Sequence, residues 1–373
     1  MSISLLTGFD GASPRDDVGV RQVAEGRFVV YPNYRRVEGI SEECIAGAGA
    51  RLSVRIRNDG PSAAPVTVVA DWQTESCLEY RDLGFVRLPD EDWRQIPGQR
   101  DKTTICYNLL VPPGVTALAL YPEYNVEQCR RFVEHLGERG ARLAVPGHSA
   151  EGRDIWLVHV PASRSGCPSL MVQARDHAYE SAGSYCIEGI IDFLLSDCPS
   201  AQCLRERFEV YCLPMANPDG VHNGMSRLTA ERGANLNRLV TECDLAHDAV
   251  RAAIDHVRPQ VYLNIHNWQV KDVDGLLVNA SAVGPAILQH IAADTEHGKR
   301  WLVESAEDWL KANGLTALRE QDKSWKNYVE ERFGGVGVTV EFPWPGLTPA
   351  DMRAKGALFL QAYAQAAIDL GVV

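Results

Sequence analysis

No run in this chain approaches the roughly eighteen continuous apolar residues that would span a bilayer. The N-terminus, Met-Ser-Ile-Ser-Leu-Leu-Thr-Gly-Phe-Asp, lacks a basic segment ahead of a long apolar one, so no secretory signal is expected. Positive charge is in short supply: 37 Lys and Arg stand against 49 Asp and Glu, a formal net charge of −12. Nucleic acid or an anionic membrane would repel such a molecule at long range, and neither is expected as a partner. The 10 cysteines include no C-x-x-C pair and no zinc-ribbon spacing. Most lie in apolar or helical stretches, as Cys106, Cys186 and Cys212 do. They read as reduced, buried thiols, which implies a cytoplasmic protein. Internal repeats, low-complexity tracts and long linkers are also absent.

What remains is the balance of an ordinary globular protein, with 45% apolar and 23% charged residues over 373 positions. That length suggests two domains. Residues 1–125 read as β-rich. Arg51-Leu-Ser-Val-Arg-Ile-Arg57 alternates strictly, and Pro65–Trp72, Thr103–Leu110 and Val115–Tyr121 look like further strands. Turn material separates them, and short strands at such intervals predict a small β-sandwich. The pattern changes at Asn125, which forms a capping-box signature with Gln128 ahead of a helical repeat. From there, over 126–373, strands are expected at Asp154–Val160, Ser169–Ala174, Phe208–Leu213, Val261–Ile265 and Val336–Glu341. Helices are expected at Gly183–Leu195, Leu245–His256, Ala286–Ala293 and Met352–Leu370. Near-continuous apolar strands alternating with helices predict an α/β domain with a buried sheet.

Three His-x-x-Glu tetrads occur, and context separates them. His135/Glu138 falls on a predicted surface helix, and His148/Glu151 in a turn. His177/Glu180 instead follows the buried-type strand Leu170-Met-Val-Gln-Ala174, where open α/β sheets bind their ligands. Imidazole and carboxylate are both zinc ligands, and a catalytic site needs three. Val261-Tyr-Leu-Asn-Ile-His266 places a third candidate, His266, at another strand end. Glu341 closes Val336-Gly-Val-Thr-Val-Glu-Phe-Pro343. A carboxylate there is costly to bury unless paired or functional, so it is either an exposed strand end or a general base. Arg175, Arg227, Arg232 and Arg238 cluster in or beside these motifs in an otherwise acidic chain, and guanidinium suits a carboxylate or a developing oxyanion.

The order Ala174-Arg-Asp-His-Ala-Tyr-Glu180, Pro214-Met-Ala-Asn-Pro-Asp-Gly-Val221, Arg227, Asn237-Arg238, His266 and Glu341 resembles the zinc metallocarboxypeptidases, nearest their cytosolic branch. The resemblance implies a mixed α/β sheet flanked by helices and preceded by a small β-sandwich. It implies one zinc on His177, Glu180 and His266, with Glu341 as general base and acid and Arg227 stabilising the oxyanion. Asn237 and Arg238 would hold the terminal carboxylate of a peptide or amino-acid-derived substrate. Two departures stand out. Asn267-Trp268-Gln269 follows the third ligand, where the family often has another histidine or a small residue. Tyr328 is the nearest candidate for the family's mobile tyrosine, at too short a spacing. An amidohydrolase acting on N-acyl amino acids and a non-catalytic binding module of the same fold are the alternatives.

Overall fold

The computed structural model describes residues 3–14, 16–32, 51–73, 82–238, 244–268, 271–291 and 301–373. Its chain divides into two compact units, Met1–Glu127 with His177–Ser181 and Asp219–Gly233, and the remainder.

The N-terminal strands are β1 (Ile3–Leu6), β2 (Val20–Ala24), β3 (Arg27–Val30), β4 (Ser53–Asn58), β5 (Ala64–Asp71), β6 (Leu83–Arg87), β7 (Arg94–Pro97), β8 (Gln99–Asp101), β9 (Thr104–Val111) and β10 (Gly114–Ala119). They form two five-stranded sheets, ordered β1-β4-β10-β6-β7 and β2-β3-β5-β9-β8. The alternation read in the sequence is the reason. Val54 and Ile56 of β4 and Val66 and Val68 of β5 point into one shared apolar core with Phe28, Trp72 and Tyr107, while Arg57 points to solvent. This is the expected small sandwich.

The second unit begins within α1 (Val126–Glu134), at Gln128. The cap of α1 comes from a residue remote in sequence. Asp10 accepts the Glu127 N–H at 2.8 Å, and Asn125 turns its amide to the Asp10 carbonyl at 3.4 Å. Strands β11 (Arg142–His148), β12 (Asp154–Val160) and β13 (Ser169–Ala174) come next, then helices α2 (Ser181–Leu194) and α3 (Pro199–Arg205). They are followed by β14 (Glu209–Leu213), α4 (Pro218–His222), α5 (Leu245–Val257), β15 (Val261–His266), β16 (Asp274–Val278) and α6 (Val283–Leu288). The chain closes with β17 (Trp301–Ser305), α7 (Ala306–Ala312), α8 (Trp325–Phe333), β18 (Val336–Glu341) and α9 (Pro349–Asp369).

One eight-stranded mixed sheet results, ordered β11-β12-β14-β13-β15-β18-β16-β17, with β14, β13, β15 and β18 parallel. Three of them, β13, β15 and β18, are buried along nearly their whole length, as near-continuous apolar composition requires. Helices α5 and α8 pack on the sheet through Val250, Ile254, Trp325 and Val329. Helices α2 and α9 approach each other closely: a Cβ on Gly356 would lie 2.5 Å from the Cys186 carbonyl oxygen. No helix among the described residues is long and apolar enough to cross a membrane. The described cysteines are free thiols. Cys186 and Cys212 are buried as expected, as is Cys129, with burial pushing all three thiols up, whereas Cys106 is only half-buried and Cys203 is exposed.

Candidate metal centre

The four parallel strands end together, and the site is built at their carboxyl ends. In the ladder between β15 and β18, His266 is the register partner of Glu341, and Asn264 that of Thr339. Side chains two apart share a face, so His266 and Glu341 form one row and Asn264 and Thr339 the row beneath. Gln173 of β13 joins the lower row opposite Asn264.

At the end of β13 the chain leaves the sheet abruptly. Arg175 takes a left-handed backbone, φ 64°, an uncommon conformation for a non-glycine residue. The turn carries the chain into the segment that holds His177 and Glu180. Arg175 itself is buried, with its guanidinium reaching the Ser184 hydroxyl at 3.4 Å. Beyond the ladder, the Ala216 and Asn217 N–H groups donate to the Ala174 and Arg175 carbonyls at 3.0 and 3.1 Å, so the segment after β14 stays tied to the end of β13. Helix α2 then starts almost in contact with the strand ends. A Cβ on Gly183 would lie 2.7 Å from that of Ala174 and 2.8 Å from the Ile265 carbonyl oxygen.

His177, Glu180 and His266 are all buried, and each offers one ligand atom within 4.8 Å of the others. His177 Nδ1 lies 2.8 Å from Glu180 Oε1. Two imidazoles and one carboxylate, shielded from bulk water, are a donor set that fits one zinc and leaves a coordination position for chemistry. Asp176 lies beneath them, fully buried. It accepts from Gln173 Nε2 at 2.5 Å and Asn264 Nδ2 at 2.7 Å, and its Oδ2 is 3.7 Å from His266 Nε2. A buried carboxylate held by two amides thus lies near the His266 ring, within ion-pair range of it. Burial, with the Asp176 charge adding to it, pushes the Tyr262 phenol well above its ordinary value.

The other expected residues distribute as follows. Asn237 is buried, its Nδ2 3.3 Å from His266 Nε2, while its Oδ1 has no hydrogen-bond partner. Arg238 donates to the Asn237 carbonyl at 2.8 Å. Arg227 is half-buried in the turn after α4, and its Nε has no partner. Arg232 pairs at 3.8 Å with Glu231 at a half-exposed position. The two other tetrads are not brought together with a third ligand. His135 is exposed and bonded to the Arg131 carbonyl, and His148 pairs with Asp154 at 2.9 Å. Tyr328 is engaged in α8, its hydroxyl donating to Asp255 at 2.7 Å and its ring edge-on to Trp325. Trp268 packs flat against Gly275, itself a register partner of Glu341, and a Cβ there would meet the indole at 2.5 Å. Sequence reading passed over Asp176, Gln173 and Asn264. For Gln173 and Asn264 the available signal was an amide inside an otherwise apolar run, whereas Asp176 lies just beyond β13 and carries no such signal.

The chain thus combines a mixed α/β sheet with a buried His-Glu-His group that could hold one metal ion. Residues 131–251 match the family model for zinc carboxypeptidases. Among curated proteins it is similar to cytosolic carboxypeptidase 2 of Danio rerio, 44% identical over 103 residues. That match covers 26% of this chain and only 14% of the relative's length. Among solved structures, a metallo-carboxypeptidase from Burkholderia cenocepacia superposes with a TM-score of 0.79 at 19% identity, covering 99% of this chain and 100% of the other. A metallo-carboxypeptidase from Pseudomonas aeruginosa, in complex with (2-guanidinoethylmercapto)succinic acid, gives 0.76 at 19% identity over 98% and 99%. At such identities the likeness establishes the fold.

Proposed function

We propose that this protein is a metallocarboxypeptidase that hydrolyses the C-terminal amide bond of a peptide or small amino-acid derivative. The observation that carries the reading is the convergence of His177, Glu180 and His266 within 4.8 Å, with Glu341 in register beside His266. Zinc held by those three residues would polarise the scissile carbonyl and make water acidic enough to attack near neutral pH. Glu341 takes the proton from the attacking water and returns it to the departing amine, because a carboxylate at a half-buried strand end can exchange protons with both. The Arg227 guanidinium faces the oxyanion as charge develops on it. Asn237 and Arg238 orient the substrate through its terminal carboxylate, and the unpartnered Asn237 Oδ1 supports a polar ligand at that position.

A protein of this fold binds (2-guanidinoethylmercapto)succinic acid, a carboxylate ligand, which agrees with such a clamp. The net charge of −12 favours short substrates over long polyanions. A cytoplasmic setting follows the relatives named cytosolic and the free thiols.

The test is a matched pair of peptides, one with a free and one with an amidated C-terminus, alongside zinc analysis of the purified protein. About one zinc per chain and release of the last residue from the free acid alone are expected. Cleavage of N-acyl amino acids without attack on either peptide would replace this reading with the amidohydrolase one.

A further inference from the structure

The loop that carries two of the three ligands has little regular structure of its own, yet its path is tightly specified. Arg51, two residues before β4, supplies the specification. Its Nη1 donates to the carbonyls of Ala178 and Met225 at 3.1 and 3.0 Å, and its Nη2 to those of Gly11 and Val221, both at 3.1 Å. The four N–H bonds of the two terminal nitrogens thus meet four backbone oxygens from three separate segments. Ala178 sits between His177 and Glu180, and Met225 lies two residues before Arg227.

The surrounding contacts act in the same direction. Gly11 N–H donates to the His222 carbonyl at 3.0 Å, and Tyr179 N–H to that of Ser226 at 2.9 Å. Asp10 binds His222 Nδ1 at 3.1 Å. Gly224, at φ 68°, is pressed on the chain at Ala12 so closely that an added Cβ would overlap the Ala12 carbonyl oxygen at 1.8 Å. All these residues belong to the first compact unit.

We infer that Arg51 is a positioning residue for the metal centre, with its guanidinium fixing the 177–181 and 221–226 segments so that His177, Glu180 and Arg227 are held in place. The inference rests on the zinc reading for its functional consequence, though not for the order it ascribes to the two segments. A lysine cannot substitute, because an ammonium offers three donors from one point and cannot reach four carbonyls arranged around a planar fork. The Asn237–Arg238 segment is held separately, through the Leu236 carbonyl and the Trp325 indole N–H at 2.8 Å. Loss of Arg51 should therefore lower kcat while leaving KM nearly unchanged.

The experiment compares wild type, Arg51→Gln, Arg51→Lys and the control Arg57→Gln, an exposed arginine on the adjoining strand β4. Two quantities are measured: zinc release to a chromogenic chelator, and amide hydrogen exchange over 177–181 and 221–226. The expected result is release about 10- to 100-fold faster in both Arg51 variants, the range typical when support around a metal ligand is removed. Faster exchange confined to those two segments, a fall in kcat without a matching rise in KM, and wild-type behaviour in Arg57→Gln should accompany it. Wild-type release and exchange in folded Arg51→Gln would overturn the inference. Should that variant fail to fold, the same result in Arg51→Lys would overturn it. A wild-type protein that takes up no zinc, with exchange still accelerated in the variants, would sink the metal reading and leave Arg51 as the holder of the two segments.

Discussion

The two halves of the proposed metal site are held in place by different means. His266 and Glu341 stand on adjacent buried strands, where ladder hydrogen bonds and the period of two decide where each side chain points. His177, Glu180 and Arg227 stand on segments outside any ladder, aimed by a left-handed residue at 175, the close seat of Gly183 and a fan of hydrogen bonds to main-chain oxygens. The strand half inherits its rigidity from the sheet. The loop half has to be given it by side chains. Substitutions close to the chemistry should therefore dominate in the strand half, whereas remote ones should reach the loop half.

The largest effect is expected from Glu341→Gln. Removing the proton acceptor while keeping shape should lower kcat/KM by about 100- to 10,000-fold, with zinc content unchanged. Turnover near wild type would show that another group moves the proton. Next comes Arg227→Ala, expected to reduce kcat by roughly 100- to 1,000-fold with little change in KM, as the loss of an oxyanion donor does. Steady-state kinetics on one good peptide substrate separates this from a binding defect, in which KM would rise instead.

The smallest effect probes the strand half away from its active end. Lys326 lies against Gly337 near the start of β18 and donates to Asn279 Oδ1. Burial lowers its pKa from 10.5 to about 8; Glu330 opposes the shift and Arg238 adds to it. Below about pH 8 the ammonium is charged in both folded and unfolded chains, and its destabilising cost is complete. Between about 8 and 10.5 the unfolded chain binds more protons, so stability should climb with pH, by at most about 1.4 kcal/mol per unit. Denaturant titrations across that window should show a shallower climb in Lys326→Met, with turnover at neutral pH unaffected.

The same contrast explains what could be read from the sequence. Strands Ser169–Ala174 and Val336–Glu341 coincide with their expected limits, because central strands with parallel neighbours carry an unbroken apolar signal, and the antiparallel strand Asp154–Val160 coincides as well. Strand Arg142–His148 was illegible. It is largely exposed, contains Pro146 and Gly147, and shifts register between Ala144 and Gly147. Gln99–Asp101 is exposed throughout and has no apolar face to announce it. His177, Glu180 and His266 were legible because motif and strand context agree. Asp176 was not, since its role depends on Gln173 and Asn264 being brought beside it by strand pairing. The cap on α1 escaped for a similar reason, its acceptor being Asp10.

The partners of Arg51 are main-chain oxygens at Gly11, Ala178, Val221 and Met225. A carbonyl oxygen is the same whatever side chain its residue bears. Replacing the side chain at 178, 221 or 225 therefore leaves the acceptor itself in place, provided the backbone keeps its path. The guanidinium reads the course of the chain and ignores its spelling.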